Sequence, residues 1–298
     1  MSKHKYSPAK INTHDFYHEY HGHKIVHLKI LLHCLKQFNP NRSYIYLAGD
    51  SSLDNKFWLL NDTPQPATND YQYILEPPIM IPDIAYHMNQ LFNGTQYCVI
   101  NTAIEESTIA NRNTYLLDQD KFIKENITQN DILIVSIGGN DIALSPTIQT
   151  LFNMVLMMYA NNVASIQKGP DSAWGMNHFI DMFKNKVTDY ILKIIGDKRP
   201  KKIIVCTIYY PDQKMTGSWA DKTLGYLGYN TEPQKLQAAI KQIFIHATYN
   251  IQIIGSQVIP VPLFQILDGT NTHDYIHRVE PSNQGGSKMA KKLVRCCL

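Results

Sequence analysis

The sequence predicts a single three-layer α/β/α domain built on a five-stranded parallel sheet. Short, continuously apolar runs recur along the chain, as strands buried on both faces require, and stretches of helical periodicity separate them. Polar, turn-prone stretches rich in reactive side chains follow several of these runs. In open parallel sheets that is where ligands bind, beyond the C-terminal ends of the strands. A chain of 298 residues is long enough to bury a large core of this kind.

Taken in order, residues 1–42 read as a histidine-rich helical segment packed on a main domain that spans 43–298. Residues 1–10 are polar and lack the apolar core of a cleaved leader. Ile25, Leu28, Leu31, Leu32, Leu35 and Phe38 form the apolar stripe of a helix that Asn39-Pro40 ends. His14/His18 and His23/His27 have the i,i+4 spacing of a metal-binding pair. They decorate the ends and flank of the stripe, and no acid completes an HExxH pattern, so no metal is expected.

A first strand over 44–47 runs into Ala48-Gly49. Residues 56–78 form a long loop beside that strand end. Its Trp58, Tyr71 and Tyr73 suit either a substrate cleft or anchors that pin the loop to the core. A helix over 81–92 stops at Asn93-Gly94. Further strands are expected over 97–100, 131–137, 202–208 and 251–255, with helices over 146–160, 174–195 and 233–248. Residues 216–229 read as a loop over the same face, and Gly285-Gly286 opens a last helix. This order is flavodoxin-like, with no internal repeat.

Composition narrows the function. An apolar fraction of 44 % and a charged fraction of 18 % are those of an ordinary globular protein. A net charge of +3 is too small to argue for nucleic acid, and Lys198–Lys202 (KRPKK) reads as a solvated loop. No apolar run approaches the ~20 residues of a membrane-spanning helix. Cys34, Cys98, Cys206, Cys296 and Cys297 show neither metal nor disulfide spacing. A cytoplasmic protein is expected, with export by a route lacking a cleaved signal left open.

The chemistry centres on Gly49-Asp50-Ser51-Ser52-Leu53. A serine is a weak nucleophile unless exposed beside a base, and a strand that ends in a glycine turn exposes one. The same letters also suit a strand followed by an N-cap. The best base along the chain is His277, with Asp274 three residues earlier to orient it.

These residues resemble the sequence blocks of the SGNH (GDSL) hydrolases. Gly49–Leu53 is similar to the first block, Ile137-Gly138-Gly139-Asn140-Asp141 to the Gly-x-Asn-Asp block, and Asp274-Tyr275-Ile276-His277 to the Asp-x-x-His block. Residues 101–108 (NTAIEEST) lie where the second block belongs, in altered form. The blocks run from about residue 43 to 290, in the family's order. The resemblance implies a serine esterase without a cofactor, acting on small acyl or acetyl esters. Ser51 would be the nucleophile, with His277 as base and Asp274 as its orienting acid. The oxyanion would be held by the backbone N–H groups of Ser51 and Glu106 and by the Asn140 amide. Asp50, Gly139 and Arg278 would bind substrate.

Two departures stand out. Glu106 occupies the second block's glycine position, where its carboxylate must point away from an oxyanion or pair with a cation such as Arg112. The family's proline follows its histidine directly, whereas here Pro281 follows Glu280. If Pro281-Ser282 and Gly285 set the register, Glu280 takes the histidine's place and His277 the aspartate's. His273 is a further candidate base. Ser52 suits a hydrogen-bond donor or a turn cap, and Asp54 and Asn55 suit turn-fixing roles. Asp141 and Glu105 read as structural acids, and Arg278 suits either a substrate carboxylate or an ion pair with Glu280 or Asp274. A different class of function is a catalytically silent domain of this type that binds a ligand or protein. A metal-assisted hydrolase using the N-terminal histidines is a further alternative. A nucleotide binder is disfavoured, because no strand is followed by a phosphate-cradling glycine loop.

Overall fold

A computed structural model describes residues 8–298; residues 1–7 of the polar leading stretch lie outside it. The central sheet is formed by β1 (Ser43–Gly49), β2 (Tyr97–Asn101), β3 (Ile132–Ser136), β4 (Lys202–Thr207) and β5 (Gln257–Pro262). All five run parallel, in the order β2-β1-β3-β4-β5.

Alternate residues of β1 to β4 enter two apolar cores, one on each face, because successive strand side chains point to opposite sides. Ile45, Leu47, Val99, Ile134 and Ile204 pack on one face with Ile84, Met88, Met289 and Leu293. These come from the helices α2 (Ile84–Leu91) and α10 (Asn283–Cys297). Tyr44, Tyr46, Ile100, Leu133 and Val205 pack on the other face. They meet α1 (Ile25–Phe38), α4 (Asp118–Asn126), α7 (Val187–Ile195) and α9 (Pro233–His246) there. The architecture is α/β/α. The remaining helices that matter are α3 (Ile109–Thr114), α5 (Gly139–Ala143), α6 (Ile148–Tyr159) and α8 (Ala220–Tyr226).

Three sequence expectations change. The fifth strand is Gln257–Pro262, not 251–255, where Ile251 and Ile253 are buried in an irregular segment. Pro260 and Pro262 disguise the strand. It lies at the sheet edge, and residues two apart direct their backbone nitrogens to the same side, so both missing N–H groups can face away from β4. Residues 216–229 are not all loop, since α8 lies within them. The helix expected over 174–195 comprises Met176–Asp181, a wide π-type turn Met182–Lys186 and α7.

The N-terminal helix α1 joins the same core as the sheet through Leu28, Leu31, Leu32 and Leu35. His14 and His18 stack on each other, and His23 is buried against Phe16 with Nδ1 2.7 Å from the Phe16 carbonyl. Among the described residues, no group of three or more His, Cys, Asp and Glu is placed to hold a metal ion. No helix among them is long and apolar enough to cross a membrane.

Candidate active site

The site lies beyond the C-terminal ends of β1 and β3. Gly49 ends β1 with φ +140°, and a Cβ there would collide with the Ser136 carbonyl of the neighbouring strand. The chain then turns sharply. Asp50 holds the turn, accepting from the backbone N–H and lying against the hydroxyl of Ser52 through Oδ1 (3.1 and 2.7 Å). Its Oδ2 accepts from the Gly138 N–H (3.2 Å). Ser52 Oγ also lies 2.7 Å from Ser136 Oγ, so it is locked into the turn, and both Ser51 and Ser52 line a cavity. Asn55 ties this turn to the C-terminal block, donating to the Pro281 carbonyl (3.0 Å) and accepting from the Ile84 N–H (3.2 Å).

The partner of Ser51 is Glu280. Ser51 Oγ lies 3.4 Å from Glu280 Oε1, and both residues are buried. Glu280 Oε2 has no partner among the described residues. Glu280-Pro281 forms β7, paired antiparallel with β6 (Tyr275–Ile276), and Ile276 opposes Glu280. Between them, the Val279 N–H donates to the Ile276 carbonyl, and His277 and Arg278 have φ of +49° and +72°. That is a type I′ turn. It carries His277 to the exposed tip, where its ring stands roughly perpendicular to that of Trp58, with centroids 5.3 Å apart.

The His277–Asp274 arrangement expected from the sequence is therefore not assembled. Asp274 accepts instead from Lys288 Nζ (2.7 Å), Gln284 (2.7 Å) and Asn271 (3.4 Å). Gly285 lets α10 pack directly on the Asp274 backbone, where any Cβ would clash. His273 is exposed. Arg278 does not reach the cavity either. It is buried, with Nη1 2.8 Å from Asp221 Oδ1 and from Asn230 Oδ1 and Nε donating to the Asp212 carbonyl, so it pairs with neither Glu280 nor Asp274.

Of the expected oxyanion donors, Ser51 and Asn140 line the cavity, and Glu106 does not. Asn140, at the start of α5, donates one amide hydrogen to the Ser107 carbonyl (3.0 Å) and keeps a second beside the cavity. Among the described residues, neither the Ser51 N–H nor the Glu106 N–H meets an acceptor. Glu106 stands in the left-handed region at φ +60°, which explains why glycine suits this place. Its carboxylate is exposed and accepts from the Tyr20 hydroxyl (3.0 Å). Arg112 is taken by Asp120, the Gly49 carbonyl and Ser107.

Acids crowd this end of the cavity. Burial pushes Glu280 above the usual carboxylate range; the Ser51 hydrogen bond opposes this, and the Asp50 and Asp54 charges add to it. Burial and the Glu280 charge push Glu105 up in the same way. Glu105 accepts from Trp58 Nε1 (3.3 Å), and Asp54 pairs with the buried Lys56 at 2.6 Å. Asp54 also accepts from the Gly22 and Glu105 N–H groups, and Asp141 caps α3 through the Ile109 and Ala110 N–H groups.

From Ser51 and Glu280 the cavity, of about 100 Å³, runs between apolar walls that include Ile208, Tyr209, Leu227, Leu236 and Ile240. Asp50 and Gly139 line its polar end. Of the loop aromatics, Tyr71 is a core anchor, donating to the Val99 carbonyl (2.7 Å), Tyr73 is half-exposed, and Trp58 lies over Glu105. The apolar walls had no sequence signal of their own, because Leu227, Leu236 and Ile240 look like any core-facing positions.

No protein-family model matches the chain, and no curated protein sequence does. Among solved structures it is similar to a lipase from a goat rumen metagenome, at 14 % identity over 84 % of this chain and 95 % of that one, with a TM-score of 0.45. It is similar to the acetylxylan esterase Axe2 from Geobacillus stearothermophilus, at 14 % identity over 86 % and 94 %, with a TM-score of 0.43. It is also similar to the M. smegmatis aryl esterase, at 11 % identity over 86 % and 98 %, with a TM-score of 0.45.

Proposed function

We propose that the chain is a serine ester hydrolase in which Glu280, rather than His277, is the base that serves Ser51. The observation that carries this is the Ser51–Glu280 contact at the end of an apolar cavity. Ionised Glu280 takes the Ser51 proton as Oγ attacks the acyl carbon. The Ser51 and Glu106 N–H groups and the Asn140 amide receive the oxyanion. Protonated Glu280 then gives its proton to the departing alcohol, leaving an acyl-serine. Water, deprotonated by Glu280, releases the acid and restores Ser51. An ordinary carboxylate is a weak base toward a hydroxyl, but burial raises the basicity of Glu280 in the direction this step needs. No cofactor takes part.

One observation favours the alternative of a silent binding module: Asp50 and Asp54 share the site with Glu280, and negative charge on them opposes a developing oxyanion. Fluorophosphonate labelling followed by peptide mapping separates the two. A label on Ser51, lost in Ser51→Ala and in Glu280→Gln but kept in His277→Ala, is the expected result. Loss in His277→Ala with retention in Glu280→Gln would return the base to His277. A folded protein that takes no label would leave only the binding module.

A further inference from the structure

Helix α6 presents its apolar face to solvent. Ile148, Leu151, Phe152, Val155 and Tyr159 recur at i, i+3, i+4, i+7 and i+11, and their exposure runs from 50 % at Leu151 to 89 % at Ile148. Thr150, Met157 and Met158 are turned inward. This inverts the usual surface helix, whose apolar stripe faces the core. No residue from 142 to 167 carries a charged side chain. Aromatic rings extend the patch. The Tyr159 hydroxyl donates to the Tyr226 carbonyl (2.9 Å), Asn161 donates to the Trp174 carbonyl (3.0 Å), and both Tyr226 and Trp174 are largely exposed. An exposed apolar surface this continuous marks an interaction site.

The patch is continuous with the mouth of the cavity. Leu144, which joins α5 to α6, and Trp219, which precedes α8, both line the cavity and are about 40 % exposed (40 % and 41 %). A second copy of the chain seated on this face would cover the entrance, whereas a lipid surface would feed it. The uncharged apolar side chains of α6, bordered by Trp174 and by Tyr226 with Lys222 Nζ 6.0 Å from its ring, suit the headgroup–acyl boundary.

We propose that α6 and its aromatic border dock on the surface of a zwitterionic lipid aggregate, and that the cavity takes an acyl chain drawn from it. The acyl half rests on the hydrolase assignment; the docking half does not. Its walls are apolar around Leu224, Leu227, Leu236 and Ile240, which suits an acyl chain longer than the acetyl group the sequence resemblance suggests.

Flotation of the full chain with phosphatidylcholine vesicles tests this, using wild type, Ser51→Ala and the double variant Ile148→Asp/Phe152→Asp. Neither substituted position in the double variant lines the cavity. Wild type and Ser51→Ala are expected to float, and added salt should leave their binding unchanged. The double variant should bind at least about tenfold more weakly, while hydrolysing a water-soluble butyrate ester as wild type does. Wild type that stays out of the vesicles overturns the proposal. So does a wild type that is dimeric without lipid while the double variant is monomeric, since the face would then belong to a second copy. Flotation without hydrolysis of any ester sinks the hydrolase assignment and leaves the docking face standing.

Discussion

Ser51 and Glu280 pose a chemical question that the neighbouring charges answer. A carboxylate at its ordinary pKa of about 4.3 would always be ionised at neutral pH and would have little drive to accept a serine proton. Burial beside Asp50 and Asp54 moves Glu280 upward, so its ionised form is scarcer but a stronger base. Glu280→Gln should lower kcat/KM at least about 100-fold, with His277→Ala within about twofold of wild type. The acid limb of the kcat/KM profile follows ionisation of Glu280 in the free enzyme. It should therefore lie at higher pH than for an unperturbed carboxylate. A profile flat down to pH about 5 would remove Glu280 from the base role. Ser51, Asn140 and the Glu106 position were legible because strands deliver them. The Pro281 register already offered Glu280 beside Ser51, but the exposed place of His277 was not legible, since it depends on a type I′ turn built from His277 and Arg278 rather than the Asn-Gly pair that signals one.

The helices and strands that frame the site show the same division. Strands β1 to β4 are continuous apolar runs and read directly, while β5 was hidden by prolines that only an edge position accommodates. Helix α2 was legible apart from its start, which is fixed by Asp83 accepting from the Tyr86 N–H at 2.7 Å. Asp83 is buried, and desolvation pushes its carboxyl up to about 7. The folded state thus keeps a proton that the unfolded chain releases near pH 4. The stability this gives is present in full below that value and is lost as pH rises to about 7. Asparagine keeps a capping oxygen and cannot titrate. Asp83→Asn should flatten the slope of unfolding free energy between those limits by up to about 1.4 kcal/mol per pH unit, as measured by urea unfolding across a pH series. An unchanged slope would mean that Asp83 is already ionised in the folded protein.

Across the whole molecule, the sheet and its two cores fix Ser51 and Asn140 at strand ends, but the cavity beside them comes from elsewhere. The cavity is enclosed by α5, α8, α9 and the segment after β4, which meet only in three dimensions. Sequence order could not show that Ala143, Leu227 and Ile240 face one space. If this space holds the acyl chain, each methylene it buries is worth about 0.8 kcal/mol, or roughly fourfold in kcat/KM where transition-state binding captures it. Activity on a series of soluble p-nitrophenyl esters should then climb with acyl length and level off once the cavity is full. Ala143 lines the cavity and is only partly buried, so a larger side chain can be added there without breaking either core. Ala143→Phe should leave the acetyl ester almost unaffected and make the series level off several carbons earlier. A uniform loss at every chain length would mean instead that residue 143 disturbs Asn140 on the same helix, and that the acyl group lies outside this cavity.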